Sequence, residues 1–479
     1  MSSATLDLLI GAVHLVLAIG ASVHIVLKKR DPRAAIGWIG LVWLTPIIGS
    51  ASYVFLGVNR IRRRAGELRR DRLEPGMSPT GSHRMLASRA LPADVPEALH
   101  PLATLAGNIT RAPLTAGNAV DALLDGDEGY PAMLDAVAAA QQSVALATYI
   151  FDRGQVADRF LAALEAAVKR GVEVRVLIDG VGARYSRPSI VRALRERGIT
   201  TREFLPSLVP IFHPYFNLRN HRKLLVVDGK VGFCGGLNIR DGCQLSLNPP
   251  NPTQDVHFRF QGPVVHQLMS AFAFDWKFTT AESLEGDRWF PALESDGPVA
   301  ARGIPDGPDE DFEALLFTFI GAIAVARRRV RVVTPYFLPD RPLIDALQVA
   351  ALRGVDVQIV LPSRVNLRTV QWAMYAQLGQ VLRGGCKVFL TPPPFDHSKL
   401  FTVDGEWTIV GSSNWDPRSL RLNFEYMVEC YDADLTRRVD AIIDRKLATS
   451  RSYTMVDHRR RHIPVRLRDG LVWLAQPYL

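Results

Sequence analysis

The sequence predicts an α/β protein of two similar halves, each a mixed sheet flanked by helices, related by a pseudo-twofold axis and preceded by an N-terminal transmembrane helical hairpin. Three observations carry this: two long apolar runs near the N-terminus, alternating strand and helix patterns from about residue 103, and the return of the same pattern in the second half of the chain. At 479 residues the chain can bury two sizeable cores. With 22% charged and 48% apolar residues, and 31 Pro and 36 Gly dispersed along it, the composition argues against a disordered, collagenous or coiled-coil chain. A formal charge of +9 favours an anionic partner, meaning nucleic acid, an acidic membrane surface or a phosphorylated substrate. Cys234, Cys243, Cys386 and Cys430 form no C-x-x-C pair and are too few to staple so long a chain, so neither a disulfide scaffold nor a zinc ribbon is expected.

The hairpin is expected over residues 1–58. Residues 6–27 carry one charge, Asp7, and residues 34–58 carry none. As helices these runs reach about 33 and 37 Å, against a hydrocarbon core of about 30 Å. A cleaved signal peptide is the weaker alternative, because residues 1–5 lack a basic region and a second apolar run follows directly. Trp38, Trp43 and Tyr53 read as interfacial or packing aromatics. Pro46 and Gly49 should bend or break the second helix, which leaves a re-entrant hairpin open. His14 and His24 read as neutral, hydrogen-bonded packing groups. After the second run come Arg60, Arg62, Arg63, Arg64, Arg69, Arg70 and Arg72, against Lys28, Lys29, Arg30 and Arg33 in the connecting turn. The larger cluster places the long C-terminal part on the cytoplasmic side by the positive-inside rule.

A basic linker is expected over 59–102 and a first α/β domain over 103–281. In that domain a strand at 143–151, an amphipathic helix at 156–169 and a strand at 172–178 form a βαβ unit. A Pro-, Gly- and acid-rich linker follows at 282–308, then a second domain over 309–479 with a strand at 330–337, a helix at 343–352 and a strand at 355–361. The segment Arg170-Gly-Val-Glu-Val-Arg-Val-Leu177 parallels Arg353-Gly-Val-Asp-Val-Gln-Ile-Val360, and Tyr149-Ile-Phe151 parallels Tyr336-Phe-Leu338, so an internal duplication is the simplest account. The run 312–326 is too short to span and contains Glu313; it is expected as a buried helix. The tail at 471–479, with Trp473 and Tyr478 after the cluster Arg459, Arg460, Arg461, fits core packing or a membrane-surface contact.

Each half contains one copy of the pattern H-x-K-x4-D-x6-G-[GS]-x-N. The first reads His221, Lys223, Asp228, Gly235, Gly236, Asn238; the second reads His397, Lys399, Asp404, Gly411, Ser412, Asn414. Apolar residues between Lys and Asp mark a buried strand, on which His and Lys, two apart, share a face. A lone H-x-K would carry little, but two full copies at matching places in a duplicated chain are specific.

These residue types suit metal-free phosphodiester chemistry. Two lysines and two asparagines can hold a phosphate's nonbridging oxygens, one neutral imidazole can attack phosphorus, and the other, protonated, can donate to the leaving oxygen. Asp255 and Glu425, downstream of the two motifs in comparable places, are the candidates for fixing the imidazole tautomers. Asp228 and Asp404 count with the catalytic set, with bracing of the hairpin as their alternative role. His213, His257 and His266 lack a comparable framework and read as structural. No metal and no cofactor is expected, since no cluster has metal-ligand spacing.

The sequence resembles the phospholipase D superfamily, whose hallmark is this paired motif, and within it the bacterial cardiolipin synthases. The resemblance covers almost the whole chain. It rests on Ala35-Ile-Gly-Trp38 through Pro46-Ile-Ile-Gly49 and Tyr53-Val-Phe-Leu-Gly57, on Asn217-Leu-Arg-Asn-His-Arg-Lys223, and on Asp416-Pro-Arg-Ser-Leu420 with Asn423-Phe-Glu425. It implies two phospholipase D-like domains sharing one site, a phosphohistidine at His221, His397 as general acid and then base, and Lys223, Lys399, Asn238 and Asn414 around the phosphate. It further implies transfer of a phosphatidyl group between two phosphatidylglycerol molecules, giving cardiolipin and glycerol, in a multi-pass protein of the bacterial inner membrane. Phosphatidylglycerol and other membrane phospholipids are the implied partners. Hydrolysis to phosphatidic acid is the alternative within the enzyme class. Nucleic acid is disfavoured by the hairpin and by the lack of a basic tract interleaved with aromatics. The oligomeric state has no signature in the sequence. Two departures stand out: Gly236 where the second motif has Ser412, and Asp241-Gly-Cys243 where an acidic-aromatic continuation is expected.

Overall fold

The computed structural model describes residues 3–29, 32–45, 47–54, 91–206, 218–308 and 313–476. The arginines at 60–72, Arg30, Pro46, His213, Asn217, Tyr478 and most of the expected linker 59–102 lie outside the described residues. The chain separates into two compact units, Met1–Arg64 and Ala65–Leu479.

The first unit holds α1 (Ser3–Lys28), α2 (Pro32–Leu44) and α3 (Ile48–Ser52). The stretch Thr5–Lys28 is strongly apolar, and its 24 residues reach about 36 Å, long enough to cross a bilayer. The second apolar run is long enough in sequence to span but is divided in the region where Pro46 and Gly49 predict a bend or break. α2 has 13 residues, about 20 Å, which is short of the hydrocarbon thickness. It stops where Thr45 Oγ1 turns back onto the Leu41 carbonyl at 2.6 Å and Ile47 takes a φ of 62°. At Gly49 a Cβ would overlap the Leu41 carbonyl, so only glycine lets α3 fold back this closely. Ala18, Ile25, Val42 and Tyr53 form the small core of the hairpin. His24 Nδ1 bonds to the Tyr53 hydroxyl at 2.8 Å, and His14 Nδ1 accepts the Ile47 N–H at 3.3 Å. Both imidazoles therefore serve packing in the hairpin.

The second unit opens with α4 (His100–Thr110) and β1 (Thr115–Gly117). The first half then runs through β2 (Ala119–Leu124), α5 (Asp125–Ala139), β3 (Ser143–Thr148), α6 (Gln155–Lys169), β4 (Glu173–Asp179), α7 (Ile190–Glu196) and β5 (Thr200–Phe204). β6 (Arg219–Asn220), β7 (Leu224–Val227), β8 (Val231–Gly235), β9 (Thr253–Gln254), β10 (Val256–Gln261) and α8 (Val264–Thr280) complete it. The second half runs through β11 (Gly297–Asp306), α9 (Ala314–Val325), β12 (Arg329–Val333), α10 (Arg341–Leu352), β13 (Asp356–Pro362), α11 (Arg368–Arg383) and β14 (Lys387–Thr391). It continues with β15 (Phe395–Asp396), β16 (Leu400–Val403), β17 (Trp407–Gly411), α12 (Pro417–Arg421), β18 (Asn423–Tyr431), α13 (Ala433–Thr449), β19 (Arg451–Tyr453), α14 (Met455–Arg459) and α15 (Ile463–Trp473).

The first sheet has the order β2-β10-β8-β7-β3-β4-β5, and the second repeats it as β11-β18-β17-β16-β12-β13-β14, with β1 and β19 added at its edges. In each, three strands run parallel and the remainder antiparallel, so both sheets are mixed. The central strands β3 and β7 are buried at every position, which is why they read as unbroken apolar runs rather than alternations. On α6, Val156, Phe160, Leu161 and Leu164 fall on one face and are buried, the 3.6-residue period of a helix lying on a sheet. The apolar run ending at Ala326 forms α9, whose Phe319 stacks on Trp415 with ring centroids 4.9 Å apart.

The stretch 282–308, expected as a linker, contains β11, a strand inside the second sheet, paired with β18 from Ala300 to Asp306. Its Pro, Gly and charged residues disguise an apolar core of Val299, Ala300, Ala301 and Ile304. The charge of Arg302 is matched by buried Glu429, whose Oε1 accepts Arg302 Nε at 2.6 Å. Residues 100–117 likewise serve the second half: β1 pairs with β11, and Leu102, Ala103 and Ala106 of α4 belong to the second core.

Candidate active site

The two halves exchange short strands. β6, just before His221, pairs in parallel with the start of β18, and β15, just before His397, pairs in parallel with β9. The register carries the ladder to the motifs: His221 N–H donates to the Phe424 carbonyl at 2.9 Å and His397 N–H to the Gln254 carbonyl at 2.7 Å. Each histidine is thereby set beside the carboxylate that follows on the opposite half. His221 Nδ1 lies 2.9 Å from Glu425 Oε1, and His397 Nδ1 lies 2.7 Å from Asp255 Oδ2. With Nδ1 so engaged, Nε2 of each ring is left for the cavity that both rings line.

That cavity has a volume of about 230 Å³, which suits a headgroup rather than a whole lipid. Asn238 and Asn414 line it as well. Asn238 Oδ1 accepts the Ile150 N–H at 3.1 Å, which aims its amide nitrogen inward; Asn414 Nδ2 donates to Ser419 Oγ at 3.1 Å. Lys223 and Lys399 are almost wholly buried beneath the histidines. Lys223 Nζ donates to the His221 carbonyl at 2.7 Å. Lys399 Nζ donates to the His397 carbonyl at 2.5 Å and sits 3.1 Å from His397 Nδ1.

Burial lowers the Lys223 ammonium to about 7 and also depresses Lys399. Burial, aided by the lysines, holds His397 down to about 4 and keeps His221 below its ordinary value although Glu425 pulls the other way. For Asp255 and Glu425 burial alone would raise the carboxyl. The lysine and histidine next to each outweigh it and hold both below the usual carboxylate range. Both acids are therefore charged while both rings favour the neutral form.

Asp228 and Asp404, expected in the catalytic set, do not line the cavity and are corrected to braces. Asp228 accepts N–H bonds from Gln141, Gln142 and Ser143 at 2.7–2.9 Å, and Asp404 accepts from Arg327, Arg328 and Arg329 at 2.7–2.8 Å. Each caps the turn after its motif strand, with φ near 52° and 54°, and ties that turn to the start of β3 or β12. Asp404→Ala should destabilise the fold by about 3 kcal/mol, roughly 1 kcal/mol per lost bond. A thermal melt read beside turnover per folded molecule checks this, the latter staying within about threefold if the residue is a brace.

The Gly236/Ser412 departure has a steric cause. Ser412 Oγ donates to Glu425 Oε2 at 2.5 Å, whereas at Gly236 any Cβ would overlap the Asp255 carboxylate. The shorter acid brings its carboxylate onto the backbone, and glycine is what leaves it room. Asp241, the second departure, accepts N–H bonds from Gln155 and Val156 at the start of α6. Cys243 lines the cavity, its thiol pushed up to about 12 by burial.

Several residues of the site were given no role in it from the sequence alone. Tyr149 and Tyr336 line the cavity at the carboxyl ends of β3 and β12 and stand edge-on to His221 and His397, at 5.2 and 6.3 Å. Their matched places in the duplication were the available signal. Arg222, the middle residue of the first H-x-K, is buried and joins the halves, donating to the Glu425 carbonyl at 3.0 Å and to Asp275 at 2.7 Å. Arg219 and Arg418 also line the cavity.

Fold and site together define a phospholipase D-type protein: two copies of one α/β domain, with one histidine from each copy meeting in a shared cavity. The family model described as "Cardiolipin synthase, PLD-like domain" matches residues 133–248 and 319–447, and one described as "Phospholipase_D-nuclease N-terminal" matches residues 16–57. The chain belongs to the cardiolipin synthase family, a family of phospholipid phosphatidyltransferases. It is 31% identical over 464 residues to the major cardiolipin synthase ClsA of Bacillus subtilis, covering 94% of this chain and 95% of that one. It is 28% identical over 468 residues to a cardiolipin synthase of Listeria monocytogenes, covering 96% of each. A crystal structure of phosphatidylserine synthase from Haemophilus influenzae shares the fold, with a TM-score of 0.62 at 14% identity over 79% of this chain and all of that one. Family membership and the apolar helix α1 associate the protein with the membrane and with phospholipid substrates.

Proposed function

We propose that the protein moves a phosphatidyl group from one phosphatidylglycerol to the terminal hydroxyl of another, releasing glycerol and forming cardiolipin. The observation that carries this reading is the pair of imidazoles in one headgroup-sized cavity, each tied at Nδ1 to a buried carboxylate. His221 Nε2 attacks the donor phosphorus while His397 passes its proton to the departing glycerol oxygen, leaving a phosphohistidine at His221. The acceptor hydroxyl then gives its proton to His397 as its oxygen attacks phosphorus and the P–N bond breaks. Asn238 and the lysines below the rings stabilise the charge that builds on the phosphate, without a metal.

The product carries two phosphodiesters, so the acceptor's own phosphate must be held a glycerol's length from the reacting one. Arg219 faces the charge of Asp179. Arg418, half-buried in the cavity wall, makes no hydrogen bond or ion pair with another described side chain and is the group available for it. The multi-pass hairpin and the cytoplasmic placement of the catalytic unit rest on the second apolar run and on the arginines that follow it. Nucleic acid is disfavoured as a substrate by this membrane attachment.

Transfer must outrun hydrolysis against water at about 55 M, which needs an excluded site and an acceptor held in line. Attachment to the membrane keeps acceptor lipid concentrated beside the site. Purified protein on phosphatidylglycerol vesicles should therefore release glycerol and cardiolipin in about equal amounts, and excess glycerol should reverse the reaction. Phosphatidic acid as the dominant product would decide for the hydrolase.

A further inference from the structure

Helix α15 shows two opposite faces. Toward the protein it turns Val472 and Trp473, which pack on the second core, and Asp469, which is buried in ion pairs with Arg461 and Arg468. Both arginines lie over aromatic rings of α11, Arg468 on Trp372 at 4.3 Å and Arg461 on Tyr375 at 5.2 Å. The helix is thus firmly seated. On the other side Ile463, Leu467, Leu471 and Leu474 are 77, 61, 59 and 68% exposed. At 100° per residue these four fall within an arc of about 80°. Arg466 and Arg468 border the arc, and exposed Arg459 and Arg460 precede it.

Four large aliphatic side chains in one stripe are costly to leave in water, and arginines along the rim match an anionic headgroup layer. The seat of the helix adjoins the active site. Leu367 and Val370, at the start of α11, line the catalytic cavity, and Leu367 is itself 51% exposed. Gln476, just after α15, donates to the carbonyl of Leu338 at 2.8 Å, and Leu338 is another wall of that cavity.

We propose that α15 is an interfacial helix that buries the stripe Ile463, Leu467, Leu471 and Leu474 in an anionic bilayer surface, tethering the cavity wall to the lipid it draws on. This contact is separate from the N-terminal hairpin.

The four native cysteines are all buried, so one cysteine placed at Leu467 can carry a fluorophore on the full chain. In phosphatidylglycerol vesicles doped with spin-labelled lipid, quenching of the Leu467→Cys label should exceed by several-fold that of an Asp434→Cys label, at an exposed position on α13. Equal quenching at the two positions overturns the proposal. So does burial of the label that grows with the protein-to-lipid ratio, which would mean a second copy covers the stripe. A second measurement uses Leu467→Asp/Leu471→Asp, with folding checked by its melt. Activity on vesicles should drop several-fold while activity on detergent-dispersed phosphatidylglycerol is kept, and an equal loss in both rejects the tether.

Discussion

Alanine at His221 should lower turnover by a factor on the order of 10⁴ to 10⁶, and alanine at His397 by a similar factor on the lipid substrate. The two variants part company on a phosphodiester with a p-nitrophenyl leaving group, which departs without a proton. His397→Ala keeps the nucleophile and should still release a burst of nitrophenol while loading phosphorus onto His221; His221→Ala should give neither. A burst in the opposite variant would reverse the two roles. The pH dependence follows from the directions of the shifts. Burial holds both rings below the ordinary value of 6.5, His397 at about 4, so the free site is largely unprotonated at neutral pH. Anionic substrate beside His397 raises its pKa, and a group whose pKa rises on binding takes up a proton. Phosphodiester binding should therefore tighten as pH falls toward the free value, and kcat/KM should peak on the acid side of about 6.5. A kcat/KM that still climbs through pH 8 would contradict this.

Much of this site was legible because chemistry and duplication were written in the same letters. His221 and His397, with their lysines and asparagines, recur at fixed spacing, and the buried strands between Lys and Asp read as apolar runs. What stayed hidden was long-range. Asp255 and Glu425 each follow their own motif in the sequence, and nothing there says that each serves the histidine of the other half; that depends on the pairing of β6 with β18 and of β9 with β15. β11 was hidden because composition reports exposure only on average, and its arginine is neutralised by a glutamate 127 residues away. Asp228 and Asp404 matched the catalytic pattern because a turn that must hold a motif strand in place is as invariant between the two copies as the chemistry itself. The break after Leu44 was signalled by Pro46 and Gly49, yet hydropathy alone, blind to backbone direction, reads the same run as a continuous span.

Asp255→Asn and Glu425→Gln should each cost on the order of 10² to 10⁴ in turnover, the loss seen when the carboxylate behind a catalytic imidazole becomes an amide. The size matters less than which imidazole titrates differently. The charge of Asp255 raises the pKa of His397 and that of Glu425 raises the pKa of His221. Without Asp255 the pKa of His397 falls and that of His221 stays; without Glu425 the pKa of His221 falls and that of His397 stays. An uncrossed arrangement, with each acid behind the histidine of its own half, exchanges these two outcomes, so NMR titration of the two rings in each variant tests the strand exchange directly. Arg222 gives the arrangement its mechanical support: it holds the Glu425 carbonyl from the first half and is anchored on Asp275 of α8. Neither half contains a complete histidine–carboxylate unit of its own, which ties catalysis to correct docking of the duplicated domains.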